Sequence, residues 1–234
     1  MTRTDLIELS DLNYAEAMRE LSRRGGGVVH DEDGVLLFAG AHPFPFLCNG
    51  ALRTDSRLDA QELLAHARDF FRPLGRGYSV IIRAHADEDL RAAAAPAGLL
   101  RMEDEPGMVL DHRLAAAEPP PGVTLRRVET AADVAAFAAV MAAAYATYGM
   151  PSDVAPQLFA RPETLIGPHI VAFLTRVDDQ PVAGAMVIVT HGVAGIYWVG
   201  TVPDARGRGL AELCTRAAGN VGFDQGARIA ALQA

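Results

Sequence analysis

The chain has no lysine; its 21 cationic side chains are all arginine. Without lysine there is no Schiff-base chemistry and no covalently held pyridoxal phosphate. A Walker phosphate loop, which closes on Gly-Lys-Ser/Thr, is excluded as well. Cysteine is nearly absent. Cys48 and Cys214 stand alone, without CxxC or metal-ligand spacing, and read as reduced thiols in a cytoplasmic protein; no metal site is expected. No uninterrupted apolar run approaches the length that crosses a bilayer, and Met1 to Glu8 lack the apolar core of a signal peptide, so no membrane partner is expected. Positive charge is scarce overall. The 29 acidic residues leave a net charge of −8, which argues against nucleic acid and favours cationic partners such as amines.

What the chain does have is a globular composition, 50% hydrophobic over 234 residues, enough for one large domain or two small ones. Its most informative segment is Val199-Gly-Thr-Val-Pro-Asp-Ala-Arg206-Gly207-Arg208-Gly209-Leu210-Ala211. An apolar strand over 194–202 enters a turn carrying two glycines and two arginines. A helix-patterned segment follows, with Leu210, Leu213, Cys214, Ala217 and Val221 on one face. Such a junction cradles phosphate: backbone N–H groups converge, the helix dipole adds positive potential, and glycine admits the ligand closely. It is not a dinucleotide fingerprint. Counting from Gly207, Gly-x-Gly-x-x-Gly finds Gly209 and then Glu212. The pattern Arg/Gln-x-x-Gly-x-Gly/Ala does fit, as Arg206-x-x-Gly209-x-Ala211.

That pattern, with the strand before it and the helix and short strand after it, resembles the acyl-coenzyme A loop of the GNAT superfamily of N-acetyltransferases. The resemblance covers most of residues 123–234. It implies transfer of an acetyl group from acetyl-CoA to a primary amine of a small molecule or peptide. A non-catalytic acyl-CoA-binding protein and an enzyme using a longer acyl donor remain open. A homodimer is compatible with either. Carried over by residue, the resemblance makes Val199, Gly200 and Thr201 a strand edge for pantetheine. It makes Arg206, Gly207, Arg208, Gly209, Leu210 and Ala211 the pyrophosphate cradle, with Arg206 fixing the loop or touching phosphate. Tyr197 is the candidate proton relay, beside the plainer reading of a strand tyrosine that packs. Tyr145 and Tyr148, three apart on a helical face, are candidate walls of the acceptor pocket.

The predicted fold class is α+β, with two GNAT-like mixed or antiparallel sheets flanked by helices. The proline-rich stretch 115–122 reads as a linker between a domain over 1–114 and another over 123–234. In the second, a strand at Val123, a helix capped by Thr130, a three-strand meander, the loop, a helix and a strand near Arg228–Leu232 are expected. The family continues with another helix, which commonly carries a tyrosine, and two more strands. Here the sequence stops, so either the chain is a fragment, its C-terminus was lost, or another segment completes the sheet. The first half repeats the same order from a helix at Asp11–Arg24 to a strand at Met108–Asp111. Its counterpart of the loop, Arg53-Thr-Asp-Ser-Arg-Leu-Asp59, is acidic and lacks glycine, so that half is expected to hold no cofactor of its own.

Overall fold

The computed structural model describes all residues Met1–Ala234, and the chain divides into two compact units. One is Met18–Asp104; the other joins Met1–Ala17 to Glu105–Ala234. The expected boundary at residue 115 is therefore displaced at both ends.

The smaller unit holds β1 (Val28–Glu32), β2 (Val35–Ala39), β3 (Asn49–Arg53), α2 (Ala60–Phe71), β4 (Ser79–Ile81) and α3 (Glu88–Ala94). Its sheet runs β1-β2-β3-β4, antiparallel except for the parallel β3–β4 pair that α2 connects. Leu63, Leu64 and Ala67 of α2 close the core against Val35, Leu37 and Ala51. Strand β3 begins only at Asn49. The prolines of His42-Pro-Phe-Pro-Phe46 supply no ladder N–H, and the buried Asn49 amide instead ties back to the His42 and Phe44 carbonyls at 3.0 and 2.7 Å.

The larger unit holds the first turns of α1 (Arg3–Arg24), then β5 (Gly107–Leu110), β6 (Val123–Arg127), α4 (Ala131–Tyr145), α5 (Val154–Leu158), β7 (Ile170–Val177), β8 (Gln180–Thr190), β9 (Val193–Thr201), α6 (Leu210–Asp224) and β10 (Ile229–Gln233). Helix α1 starts eight residues before its expected onset. Thr2 and Asp5 form a reciprocal cap, Thr2 N donating to Asp5 at 2.7 Å and Asp5 N to Thr2 at 3.1 Å. The expected cap of α4 is present in the same form: Asp133 N donates to the Thr130 hydroxyl at 3.1 Å, and Thr130 N to the Asp133 carboxylate at 3.2 Å.

The sheet of this unit has six strands in the order β5-β10-β9-β8-β7-β6. The terminal strand β10 is thus not an open edge. It lies between β9, with which it is parallel, and β5, with which it is antiparallel from Gly107↔Gln233 to Leu110↔Ala230. Strand β5, assigned by sequence to the first domain, belongs to this sheet. The proline-rich stretch joins opposite edges of one sheet and is fastened on the way. Leu114 exchanges two hydrogen bonds with the Asn220 side chain at 3.0 and 3.1 Å, and Ala115 O accepts from Arg216 at 3.1 Å. Composition signals a stiff extended segment; it does not signal whether the segment is docked.

Order and strand sense in β7-β8-β9-α6-β10 match those of β1-β2-β3-α2-β4. On the larger sheet, α6 packs close over β9 because Gly222 has no side chain; a Cβ there would overlap that of Ala194. Gly222→Ala is expected to lower the unfolding free energy by about 1–2 kcal/mol despite alanine's better helix propensity, read from the urea midpoint. On the opposite face α4 meets Gly184 and Gly200 through Phe137, Met141 and Ala144. The stretch Ala131–Tyr148 is apolar and long enough to span a bilayer by length and composition, but in this fold it is a core helix against β8 and β9.

Candidate active site

The site is built where β9 ends. Opposite β8 the pairing steps from Gly184↔Gly200 to Met186↔Tyr197, so Trp198 and Val199 together face Ala185 in a bulge. Trp198 takes φ +50°, a left-handed conformation that costs a bulky residue about 1–2 kcal/mol. Aromatic packing holds it there, with Tyr145 at 5.2 Å and Phe159 edge-on at 5.1 Å between ring centroids. The Tyr145 hydroxyl also donates to the Val199 carbonyl at 3.3 Å.

On its other side β9 parts from β10. The two pair only over Val193–Gly195 and Ile229–Ala231, which leaves Ile196 to Thr201 without a strand partner there. This opens the edge expected at Val199, Gly200 and Thr201. Gly200 itself is small for a packing reason as well: a Cβ would stand 2.8 Å from Ala144 Cβ.

Beyond Thr201 a tight turn, Pro203–Ala205, delivers the chain to Arg206. Gly207 and Gly209 then adopt φ +73° and +71°; a Cβ on the first would meet open space, and one on the second only a Glu212 carboxylate oxygen at 3.9 Å. Gly209 is the N-cap of α6 and offers no side chain to its free donors. The first helical bond is Leu213 N to Gly209 O at 3.2 Å. From Gly207 to Glu212 no backbone N–H donates to a backbone carbonyl. A run of free donors at the positive end of a fifteen-residue helix, under open space, is an anion site.

The remaining expected residues divide by role. Arg206 fixes the loop: its guanidinium donates to Thr201 O at 3.2 Å, Ala144 O at 3.0 Å and the Thr147 hydroxyl at 3.1 Å, bracing the end of β9 against the carbonyl end of α4. Arg206→Ala is therefore expected to weaken binding of a loop ligand about tenfold while moving the urea midpoint little, a contrast that titration and denaturation read together. Arg208 is exposed and holds no partner in the chain. Leu210 is core, packed with Ala205 and Leu213, so only its N–H belongs to the cradle. Cys214 is buried against Thr175, and burial raises its thiol to about 11; it packs.

Tyr197 differs from its expected role. Its hydroxyl donates to Asn13 Oδ1 at 2.7 Å, and burial raises its ionisation well above the usual tyrosine range. Asn13, 1% exposed on α1, donates in turn to Ile188 O, the Thr190 hydroxyl and Val193 O at 3.0, 2.8 and 3.3 Å. It fits because Gly195 has no side chain to displace it. Tyr145 and Tyr148 sit together as expected, rings 6.0 Å apart, but Tyr145 is pressed against β9 while Tyr148 is 74% exposed. Burial raises the Tyr145 hydroxyl to about 12, with Tyr148 and Glu105 adding to it.

Two residues at this end of the sheet escaped the sequence reading. Tyr14 of α1 stands 6.4 Å from Tyr197 between ring centroids, and Glu105 precedes β5. Both lie before the proline-rich stretch. The signal for them was the missing partner of β10, which required some other segment to arrive there.

With this geometry in place, the sequence model described as Acetyltransferase (GNAT) domain matches residues 109–229, just over half of the chain. The chain belongs to the GNAT acetyltransferase family. It is an acyltransferase of that fold. Among solved structures, a GCN5-related N-acetyltransferase from Kribbella flavida is 23% identical, with a TM-score of 0.70 over 96% of this chain and 85% of that one. One from Sphaerobacter thermophilus is 15% identical at a TM-score of 0.56, covering 86% and 67%. A GCN5-related N-acetyltransferase-like protein from Streptococcus suis is 12% identical at 0.51, covering 94% and 89%. At these identities the likeness concerns the fold. No curated protein matches.

Proposed function

We propose that this GNAT chain transfers the acetyl group of acetyl-CoA to a primary amine. The observation that carries the reading is the run of free N–H groups from Gly207 to Glu212, continuous with the unpaired edge of β9. The two parts suit one ligand. Pyrophosphate is satisfied by helix N-terminal donors, and the amides of pantetheine pair with a free strand edge as an added strand does. A thioester at the end of such a strand would lie beside the Trp198–Val199 bulge, where strand N–H groups can stabilise the oxyanion formed on attack. The net acidity of the chain favours a cationic acceptor.

Within this reading Tyr197 is a positioning residue, since its proton is committed to Asn13 and burial opposes its loss. The smaller unit acts as a second GNAT-like repeat that has lost its cofactor. Its α2 is capped by Asp59, whose carboxylate accepts from Gln61 N at 2.8 Å and occupies the helix N-terminus with negative charge. Arg53, 3% exposed, is consumed by Asp87 at 2.9 Å and Asp89 at 2.5 Å.

The test is a thermal shift with acetyl-CoA followed by free-thiol release with a panel of primary amines. A shift together with amine-dependent thiol release is expected. A shift without release leaves a binding protein, and no shift removes acetyl-CoA as the ligand.

A further inference from the structure

In an antiparallel pair every second residue turns its N–H and C=O toward the partner strand, and the residues between turn theirs away. In the larger unit β5 is an edge strand, paired with β10 alone. Ala234 N donates to Pro106 O at 3.3 Å, so Pro106 turns toward β10. Met108 and Leu110 do the same by alternation, opposite Leu232 and Ala230. Gly107 and Val109 therefore turn both backbone groups outward, where no strand pairs with them. Pro106 stands where its missing N–H is not owed to the outer edge.

The two edges of this sheet differ in what they carry. Strand β6, at the far edge, exposes Thr124, Arg126 and Arg127, and charge on an edge opposes pairing with another chain. Strand β5 reads Gly107-Met108-Val109-Leu110 and carries no charge. Met108 is 49% exposed and Val109 42%. Leu110 packs with Ala218 and Ala230 on the α6 side of the sheet, and Met108 shares that side by alternation. Val109 stands opposite Ala231, which packs with Leu6 and Leu9 of α1 on the other side. An uncharged edge with apolar side chains exposed on both faces is a template for one more strand.

We propose that β5 pairs with β5 of a second copy of this chain, antiparallel about a twofold axis at Val109, to form a homodimer. The strand's own sequence selects the register. Opposed residues must turn the same way, so the axis stands at a residue and not between two. An axis at Met108 sets Glu105 opposite Asp111, carboxylate against carboxylate. One at Gly107 or Leu110 sets Val109 opposite a carboxylate, that of Glu105 or Asp111. With the axis at Val109, Met108 meets Leu110 of the second copy, Val109 meets Val109, and Gly107, without a side chain, meets Asp111. This register also brings the Glu105 end of one strand over the end that leads to Arg113 in the other, charges of opposite sign; Arg113 rests otherwise on Asp224 and Asn220 O of α6. Pairing through β5 leaves the arginine-bearing β6 at each outer end, so the assembly closes at two copies. The strand is four residues long. The contact is accordingly small, and a reversible dimer with a Kd of about 10–100 µM is expected.

The test is sedimentation velocity on the full chain from about 2 to about 500 µM, without acetyl-CoA, where monomer should pass to dimer and to nothing larger. Val109→Pro removes the outward N–H at the axis and none that β10 uses. It should raise Kd at least about tenfold while the urea midpoint stays close to that of the wild type. Cysteine variants read the register and decide the matter even where the proline variant fails to fold. Cys48 and Cys214 are buried, so a thiol placed on β5 is the only exposed one. Oxidised Val109→Cys should run as a covalent dimer, its Cα atoms opposed at about 5.5 Å. Oxidised Met108→Cys should not, because its two copies are diagonal neighbours about 7–8 Å apart. A wild type that is monomeric at every concentration overturns the proposal and leaves the edge to a different partner. Open-ended polymers, a folded Val109→Pro that dimerises as the wild type does, or equal cross-linking at 108 and 109 overturn it as well.

Discussion

Gly209→Glu is expected to lose acetyl-CoA binding, with affinity falling by about 100-fold or more in a calorimetric titration. Three effects act together. The residue must hold φ +71°, which costs a side chain about 1–2 kcal/mol. The added carboxylate would stand in the open space over Gly207 and Gly209, in the path of an incoming phosphate. Its negative charge would also satisfy the free α6 donors from within, as Asp59 does on α2. Gly209→Ala separates these causes, since it keeps the backbone strain without the charge. It should lower stability by about 1 kcal/mol and affinity far less than the glutamate. Equal losses for alanine and glutamate would place the effect in backbone strain alone.

Asn13→Ala should lower the unfolding free energy by about 3 kcal/mol, measured by urea denaturation at neutral pH. Removing the side chain strands the carbonyls of Ile188 and Val193 and the Tyr197 hydroxyl in a buried setting, where each lost partner costs about 1–3 kcal/mol before relaxation. The neighbouring Leu12 is 50% exposed, and Leu12→Ala should stay within about 0.5 kcal/mol. The contrast matters because Asn13 lies nearly a hundred residues before the matched domain. If Asn13→Ala costs no more than Leu12→Ala, α1 is not an integral part of the acetyltransferase unit.

The anion-binding loop of the candidate site was legible because its physics is local. Free helix donors, two glycines at positive φ and an apolar strand ahead of them all fall within Val199–Ala211, and their spacing excludes the commoner phosphate loops. The capping box at Thr130 and Asp133 was legible for the same reason. The placing of α1 and β5 at the other end of the sheet was not. Sequence periodicity shows that Met108–Asp111 is a strand and that a helix surrounds Tyr14, but not which sheet either joins. That choice is made by β10, whose free edge accepts β5, and by Gly195, whose missing side chain admits Asn13. Both are contacts between segments about a hundred or more residues apart. The proline-rich stretch misled for a related reason. Its composition is that of a domain linker, and only the Asn220 and Arg216 contacts show that it is strapped along α6.

Tyr197 illustrates the remaining limit. A tyrosine on the strand entering the loop has the right address for catalysis, yet whether its proton is available depends on what lies above it. Asn13 decides that, and nothing in the spacing around residue 197 reveals Asn13.

The most direct test of the whole account is amide hydrogen exchange on the wild-type chain with and without saturating acetyl-CoA. Exchange should slow at Gly207 to Glu212 and at Val199 to Thr201, while Gln61 and its neighbours at the start of α2 stay unchanged. Unaltered exchange across Gly207–Glu212 in the presence of acetyl-CoA would contradict it.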